Sequence, residues 1–362
     1  MSRGLGDVYK RQIYIYLGAI ICLLCACSTD EHLPDVSKFY YPIPATPLKE
    51  AVNLGAYYYT YKTNDWNKGY PEEPELGEYD IFSNPQLMSR QFEWAVQGGL
   101  NYFILKWDNA DNDQKLLTQY AQYYTPEAPK MVICYNIAHL KGTNASPIAE
   151  KKLAQMVTEL KELYNDHMSK AHYFKIDNRP VIMITSLIPS SSQPNAIDFN
   201  TVMSTIRQEF ANMNVNPYFI GEVPTGWKAP QTYKKSIITM DAITLTSWAP
   251  NDYDRSYAFC SFNDISWKNW CDSTSAWKMD YIPCIFPAYN DLVSNPKSKN
   301  LIVERTEKFF IDYCNVAKRN LGSKRFVIVN SWNDFGKGNA LEPAKEYGTV
   351  SLDILKKQFT VN

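Results

Sequence analysis

Histidine is scarce in this 362-residue chain. His32, His139, His167 and His172 are all there are, and none forms the close-spaced pair that would open a metal site. The cysteines do not fill that gap. Beyond the N-terminal segment only Cys134, Cys260, Cys271, Cys284 and Cys314 remain, an odd number matching no zinc spacing, so at least one thiol is free. They read as buried structural thiols, with a Cys260–Cys271 disulfide as the alternative in an oxidising compartment. No Gly-x-Ser-x-Gly elbow is present, no glycine-rich fingerprint follows the first strand-like run, and Gly336-Lys337-Gly338 lacks phosphate-loop spacing. Serine-triad hydrolysis and dinucleotide or P-loop chemistry are thereby excluded, and neither a metal nor a cofactor is expected. A basic surplus is missing too: formal net charge is −1. Residues 1–26 hold three basic groups and one acidic group, which leaves 34 basic against 37 acidic and a charge of −3. Nucleic acid is not an expected partner.

The N-terminus also lacks a run of membrane-spanning length. Lys10 and Arg11 precede a short apolar stretch, Ile13–Leu24, which reads as a signal peptide. Asp7–Gln12 reads like translated adapter DNA rather than native sequence, so residues 1–12 are set aside from the fold reading. Leu24-Cys25-Ala26-Cys27 resembles a lipobox in which Cys27 is lipidated. Ser28–Glu31 resembles the acidic tract of surface-exported lipoproteins of the Bacteroides group. The implied organisation is a signal over 1–26, a proline-rich tether over 27–50 that adds nothing to the core, and one domain over 51–362. The address is a lipid anchor at the outer membrane surface, with oligomeric state left open.

What the chain does have is apolar and aromatic residues, 45% and 14% of the total, enough to bury a large core. Strand-like runs recur at Val52–Tyr59, Leu100–Trp107, Met131–Tyr135, Val181–Thr185, Tyr218–Gly221, Ala242–Thr246, Tyr281–Phe286 and Arg325–Val329. Helical spacing lies between them: a helix launched by Asn84-Pro85 and closed by Gly98-Gly99, then Asn112–Tyr124, Pro147–Met168, Phe199–Met213, Gln231–Ser236, Tyr253–Trp277, Leu301–Asn320 and Leu352–Gln358. Eight strand–helix repeats make an α/β fold of the (β/α)8 TIM-barrel type, with a doubly wound open sheet as the rival.

In such a barrel the chemistry sits where strands end. Those positions hold Tyr58, Tyr59 and Tyr61; Trp107 and Asp108; Asn136 and His139; Thr185 and Ser186; Glu222; Ser247 and Trp248; Tyr289, Asn290 and Asp291; and Trp332, Asn333 and Asp334. Rings that stack on sugar faces, with amides and carboxylates that fix hydroxyls, suit a carbohydrate site; a tyrosine-rich core is the other reading. Glu222, flanked by Gly221 and Val223, needs a reason to be there.

The densest cluster follows the last strand. Trp332-Asn-Asp-Phe-Gly-Lys-Gly-Asn-Ala-Leu-Glu-Pro343, then Tyr347-Gly348, resembles the closing motif of the glycoside hydrolase family 99-like barrels, WbsX-type proteins included, in which it takes the form Trp-Asn-Glu-Trp-x-Glu-Gly-x-x-x-Glu-Pro. Leu76–Ile81, Gln91, the strand ending at Trp107, Lys175–Ile182 and Asp241-Ala-Ile resemble further parts of it, so the likeness runs over about residues 51–355. The resemblance implies a retaining, endo-acting hydrolase of α-mannose-type or related glycans that uses two carboxylates three residues apart, one assisting at the sugar 2-hydroxyl and one as general acid/base. Here the first is Asp334 and the second is Lys337, whose ammonium, with an ordinary pKa of about 10.4, is a poor acid at neutral pH. Glu222 or Asp108 would then supply the acid/base.

The expected catalytic set is Asp334, Glu222 and Lys337. Expected to bind substrate are Tyr58, Tyr59, Trp107, Asp108, Asn136, His139, Trp248, Tyr289, Asn290, Trp332, Asn333 and Glu342. The partner is an oligosaccharide or polysaccharide. A glycan-binding protein that has lost turnover, and glycosyl transfer in polysaccharide assembly, are the alternatives.

Overall fold

Eight parallel strands close on themselves in this computed structural model, which describes residues 39–361 apart from 186, 189, 225 and 246–257. Cys27 and the signal segment lie outside the described residues. The strands are β1 (Asn53–Tyr58), β2 (Tyr102–Trp107), β3 (Lys130–Tyr135), β4 (Arg179–Ile184), β5 (Tyr218–Val223), β6 (Ala242–Leu245), β7 (Asp280–Ile282, resumed as Cys284–Ile285) and β8 (Phe326–Val329). Around them run α1 (Leu87–Gln97), α2 (Asp111–Tyr123), α3 (Leu153–Leu163), α4 (Phe199–Ala211), α5 (Lys234–Ile237), α6 (Phe259–Ala276), α7 (Glu307–Arg319) and α8 (Val350–Phe359). This is the (β/α)8 barrel that the alternation of strands and helices predicts.

Closure passes through Pro283. The first half of β7 pairs with β6 (Ala242↔Asp280) and the second half with β8 (Ile328↔Cys284), while the Ile328 N–H donates to the Pro283 carbonyl at 2.9 Å. Proline has no N–H to give a ladder, so the strand is interrupted there, yet its carbonyl still serves β8. A short strand, Lys175–Ile176, folds back on β4 through Asp177 and Asn178, both at positive φ, as a tight hairpin turn requires.

Side-chain parity sorts each strand between two layers. Leu54, Ala56 and Tyr58 of β1, and Phe103, Leu105 and Trp107 of β2, pack outward against the helices. Tyr57, Tyr102, Ile104, Val132, Cys134, Val181, Met183, Tyr218, Ile220, Ile282, Cys284, Phe326 and Ile328 fill the inside. Gly55 is required by this interior: a Cβ there would lie 2.1 Å from the Tyr102 ring. At the N-terminal end of the barrel Tyr102, Phe174, Tyr218 and Phe326 pack on one another, with Tyr102 and Phe174 centroids 4.6 Å apart and Tyr218 stacked on Phe326 at 5.7 Å. These rings plug the barrel from below. At the other end Tyr57, Tyr59, Asn136, Cys284 and Asn330 stay partly exposed and Lys106 is exposed, so the barrel opens there into a well.

The folded unit begins earlier than expected, at Tyr41. Residues 41–50 are held to it: the Tyr41 hydroxyl donates to Asp264 at 2.7 Å, the Thr46 N–H donates to Asn315 at 2.9 Å, and Leu48 joins the core. Their proline content straightens the segment without freeing it. The expected helix over Leu301–Asn320 starts only at Glu307, where Thr306 accepts the Phe309 N–H as N-cap. No helix among the described residues is long and apolar enough to cross a membrane. Cys134, Cys260, Cys271, Cys284 and Cys314 are all free thiols, and Cys260 and Cys271 do not pair.

Candidate active site

Strand geometry places the well's groups level by level. The register pairs Tyr57 with Ile104 and Tyr58 with Leu105, which sets the next inward pair, Tyr59 and Lys106, side by side at the mouth. Four strands round the ring, Glu222 projects inward from β5 and faces β1 across the barrel. The Tyr57 hydroxyl donates to Glu222 Oε1, which ties the two sides together. Glu222 is 8% exposed. Burial raises its carboxyl to about 7, even though the Tyr57 hydrogen bond and the Lys106 charge pull the other way. At neutral pH it is poised between acid and base.

Asp334 stands on the β8 side. Its N–H donates to Ser331 Oγ at 2.7 Å, and its carboxylate meets the Lys337 ammonium at 2.9 Å across a single 3₁₀ turn, Phe335–Lys337. Gly338 ends that turn at φ +59, where a side chain would also press on Pro71 at 2.8 Å. Tyr59 lies between the two carboxylates. Its phenol is held well above its usual range by burial first, then by Asp334, then by Glu222. Lys337 Nζ sits 5.7 Å from the Tyr59 ring.

The remaining wall is a polar chain. Lys106 Nζ pairs with Asp108 Oδ2 at 3.0 Å, Asn136 Nδ2 donates to Asp108 Oδ1, and Thr185 Oγ1 donates to Asn136 Oδ1 at 2.7 Å. β2, β3 and β4 thus contribute to one hydrogen-bonded rim. Among the expected residues, Asp334, Lys337, Glu222, Tyr59, Asp108 and Asn136 come together here.

Other expected substrate contacts lie elsewhere, for a reason common to several of them. Trp107 is 1% exposed and stacks on Tyr135 at 5.1 Å in the sheet–helix layer. Tyr58 is 3% exposed, with its hydroxyl donating to Gln91 at 2.7 Å. Both point outward because their strand parity is one residue off the inward set. Trp332 is fully buried against Phe103, with centroids 5.0 Å apart, and its backbone N–H donates to the Tyr57 carbonyl at 2.7 Å. Asn333, also buried, grips Tyr59 at both ends of its backbone: Oδ1 accepts its N–H at 2.7 Å and Nδ2 donates to its carbonyl at 2.9 Å. It positions Tyr59 rather than touching the well.

Glu342 lies beneath, fully buried, accepting the Tyr79 hydroxyl at 2.7 Å and Gln91 Nε2 at 3.0 Å. Burial pushes its carboxyl up to about 7 against those two donors. His139 turns toward α3, with Nδ1 2.6 Å from the Asn136 carbonyl and Nε2 2.9 Å from the buried Glu159. Tyr289 joins Asp291 and Asn300, and the Asn290 N–H donates to the Lys337 carbonyl at 2.8 Å, so the loop after β7 braces the Lys337 turn. Trp248 lies outside the described residues. Tyr57, Lys106 and Asn330 are the well groups that the list of strand ends omits. The one polar residue in Tyr-Phe-Ile-Leu-Lys-Trp was the available clue to Lys106 and to the parity of β2.

The profile of the family described as glycosyltransferase WbsX matches residues 66–355. The chain belongs to the WbsX family. No curated protein matches it. Among solved structures, the WbsX-family chain is similar to a "Glycoside hydrolase-like protein" at 25% identity and a TM-score of 0.80, with 90% of this chain and 99% of that one covered. It also shares its fold with the GH99 endo-alpha-mannosidase from Bacteroides thetaiotaomicron, at 14% identity and a TM-score of 0.60 over 86% of this chain and 97% of that one. The barrel of this WbsX-family chain is GH99-like.

Proposed function

We propose that the protein is a carboxylate-based glycoside hydrolase of α-mannose-type or related glycans, acting with retention. The observation that carries this reading is the position of Glu222: a buried carboxyl with an elevated pKa, on the floor of an open well, opposite the Asp334 side of the barrel. Tyr57 occupies Oε1, so Oε2 can carry the proton to a leaving glycosidic oxygen. Once that proton is gone, the Tyr57 hydroxyl and the Lys106 ammonium stabilise the carboxylate left behind. Asp334, paired with Lys337, takes the second role, accepting hydrogen from a sugar hydroxyl as positive charge grows at the anomeric carbon. Tyr59 offers its ring to the sugar between them.

A second reading is glycan binding without turnover. Lys337 favours it, since its ammonium engages Asp334 where the resemblance calls for a carboxylate. Glycosyl transfer, the activity in the family's description, would use the same well with a sugar hydroxyl in place of water. Incubation with α-mannan and N-glycan panels, followed by product analysis, tests the three. Hydrolysis is expected to fall by about 10²- to 10⁴-fold in Glu222→Gln and Asp334→Asn. Binding without product in the wild type would overturn the hydrolase reading, and formation of longer glycans would replace it with transfer. The proposed address is the outer surface through a lipidated Cys27, checked by loss of fatty-acid labelling in Cys27→Ala.

A further inference from the structure

Both ammonium groups of the well stand on one side of it, each beside an aspartate, and Glu222 stands on the other. β1 lies between β8 and β2, so Lys337, carried by the turn after β8, and Lys106, on β2, flank Tyr59. Glu222 comes from β5, four strands away. Barrel interiors are ordinarily packed with branched apolar side chains, so a lysine at the inward position of β2 is there for its charge. Its side chain is 56% exposed and that of Lys337 is 45% exposed.

Each ammonium is steadied by one aspartate, Asp108 or Asp334, through a single oxygen. An ammonium has three donors and both lysine side chains are about half exposed, so each can take up an arriving anion while keeping its aspartate. Low-dielectric walls around the well strengthen that attraction. We propose that the substrate is an anionic glycan, whose sugar-borne carboxylate, phosphate or sulfate is received by Lys106 and Lys337 on either side of Tyr59 while the glycosidic bond faces Glu222. The inference rests on the glycan-active reading of this same well and adds the substrate class to it.

Two matched polymer pairs test it by titration calorimetry on the full chain: yeast phosphomannan against the same mannan stripped of phosphate, and polygalacturonate against its fully methyl-esterified form. The acidic member of at least one pair is expected to bind about tenfold or more tighter, with the advantage shrinking as salt rises. Which pair responds distinguishes phosphate from carboxylate. Lys106→Gln and Lys337→Gln should each reduce the preference, the double variant should abolish it, and Lys337→Arg should keep it. Equal affinity for both members of each pair, or a preference that survives in the double variant, overturns the inference. Cleavage of neutral mannan with no acidic preference overturns it alone, whereas no binding and no turnover of any polymer overturns the hydrolase reading with it.

Discussion

Replacing Glu222 by Gln should make the protein more stable, and only on the alkaline side. The carboxyl is raised from its ordinary 4.5 to about 7, chiefly by burial. A shift of that size corresponds to about 3 kcal/mol of differential interaction. Its sign follows from proton counting. Below about pH 4.5 the group is protonated in both folded and unfolded chains and costs nothing. Between that and pH 7 the folded state holds a proton that the unfolded state has lost, so stability falls as pH rises. Above pH 7 the buried carboxylate carries the whole penalty. A neutral amide of the same shape escapes it, while still accepting the Tyr57 hydroxyl. Urea unfolding should therefore show Glu222→Gln gaining about 2 to 3 kcal/mol over wild type at pH 8, most of which disappears at pH 5. The same substitution should cut turnover by about 10²- to 10⁴-fold, which would mark the site as one where stability has been given up for chemistry. An equal gain at both pH values, or none, would refute the reasoning, since the effect would then not come from ionisation. Tyr57→Phe removes the largest group lowering this pKa and should move the midpoint of any pH–rate profile upward.

Lys337→Glu places a second carboxylate beside Asp334 and, with Glu222 already serving as the acid/base, is expected to leave turnover of neutral α-mannan unchanged; a gain of about tenfold or more would show that Glu222 does not fill that role. Asn333→Ala leaves the Tyr59 N–H and carbonyl without their partners and should cost about 2 kcal/mol in urea unfolding, with a raised KM as Tyr59 loosens. His167 and His172 lie buried with ring centroids 5.7 Å apart, and among the described residues His167 Nδ1 and His172 Nε2 have no hydrogen-bond partner. Burial lowers both, His172 to about 4, so the unfolded chain takes up protons first and stability should fall as pH drops from about 6.5 toward 4. Thermal melts across that range check this, and His172→Phe should flatten the slope.

The barrel itself was legible because each parallel strand, covered on both faces, reads as an apolar run, and each helix shows its own period. That same feature hid the site. A strand buried on both sides gives no alternation from which to tell inward from outward, so strand ends alone group Tyr58 and Trp107 with Tyr59, whereas parity turns those two outward and leaves Tyr57, Tyr59 and Lys106 facing the well. Glu222 was legible because a carboxylate amid apolar neighbours has few structural uses. The contact of His139 with Glu159 was not, because it joins a loop to a helix 20 residues later, and nothing local announces it. Residues 41–50 looked like a tether from their prolines alone, and only long-range contacts with Asp264 and Asn315 show otherwise.

The stretch from Trp332 to Pro343 separates frame from chemistry residue by residue. Trp332, Asn333 and Glu342 are fully buried: the Trp332 ring packs on Phe103, Asn333 fixes the Tyr59 backbone and Glu342 the Tyr79–Gln91 pair. Any change there disturbs the well's shape. Asp334 and Lys337 are three apart on a 3₁₀ turn, where such positions eclipse, so they share one side and reach the well together. Among the described residues the Lys337 ammonium pairs with the Asp334 carboxylate and stands over the Tyr59 face, and nearly half its side chain is open to solvent. Charge at position 337 can therefore be inverted without cost to the barrel. A lysine here changes what the well attracts and how its carboxylates divide the work while leaving the frame that positions them intact, so the family likeness of the stretch and the chemistry of this particular site are carried by different side chains.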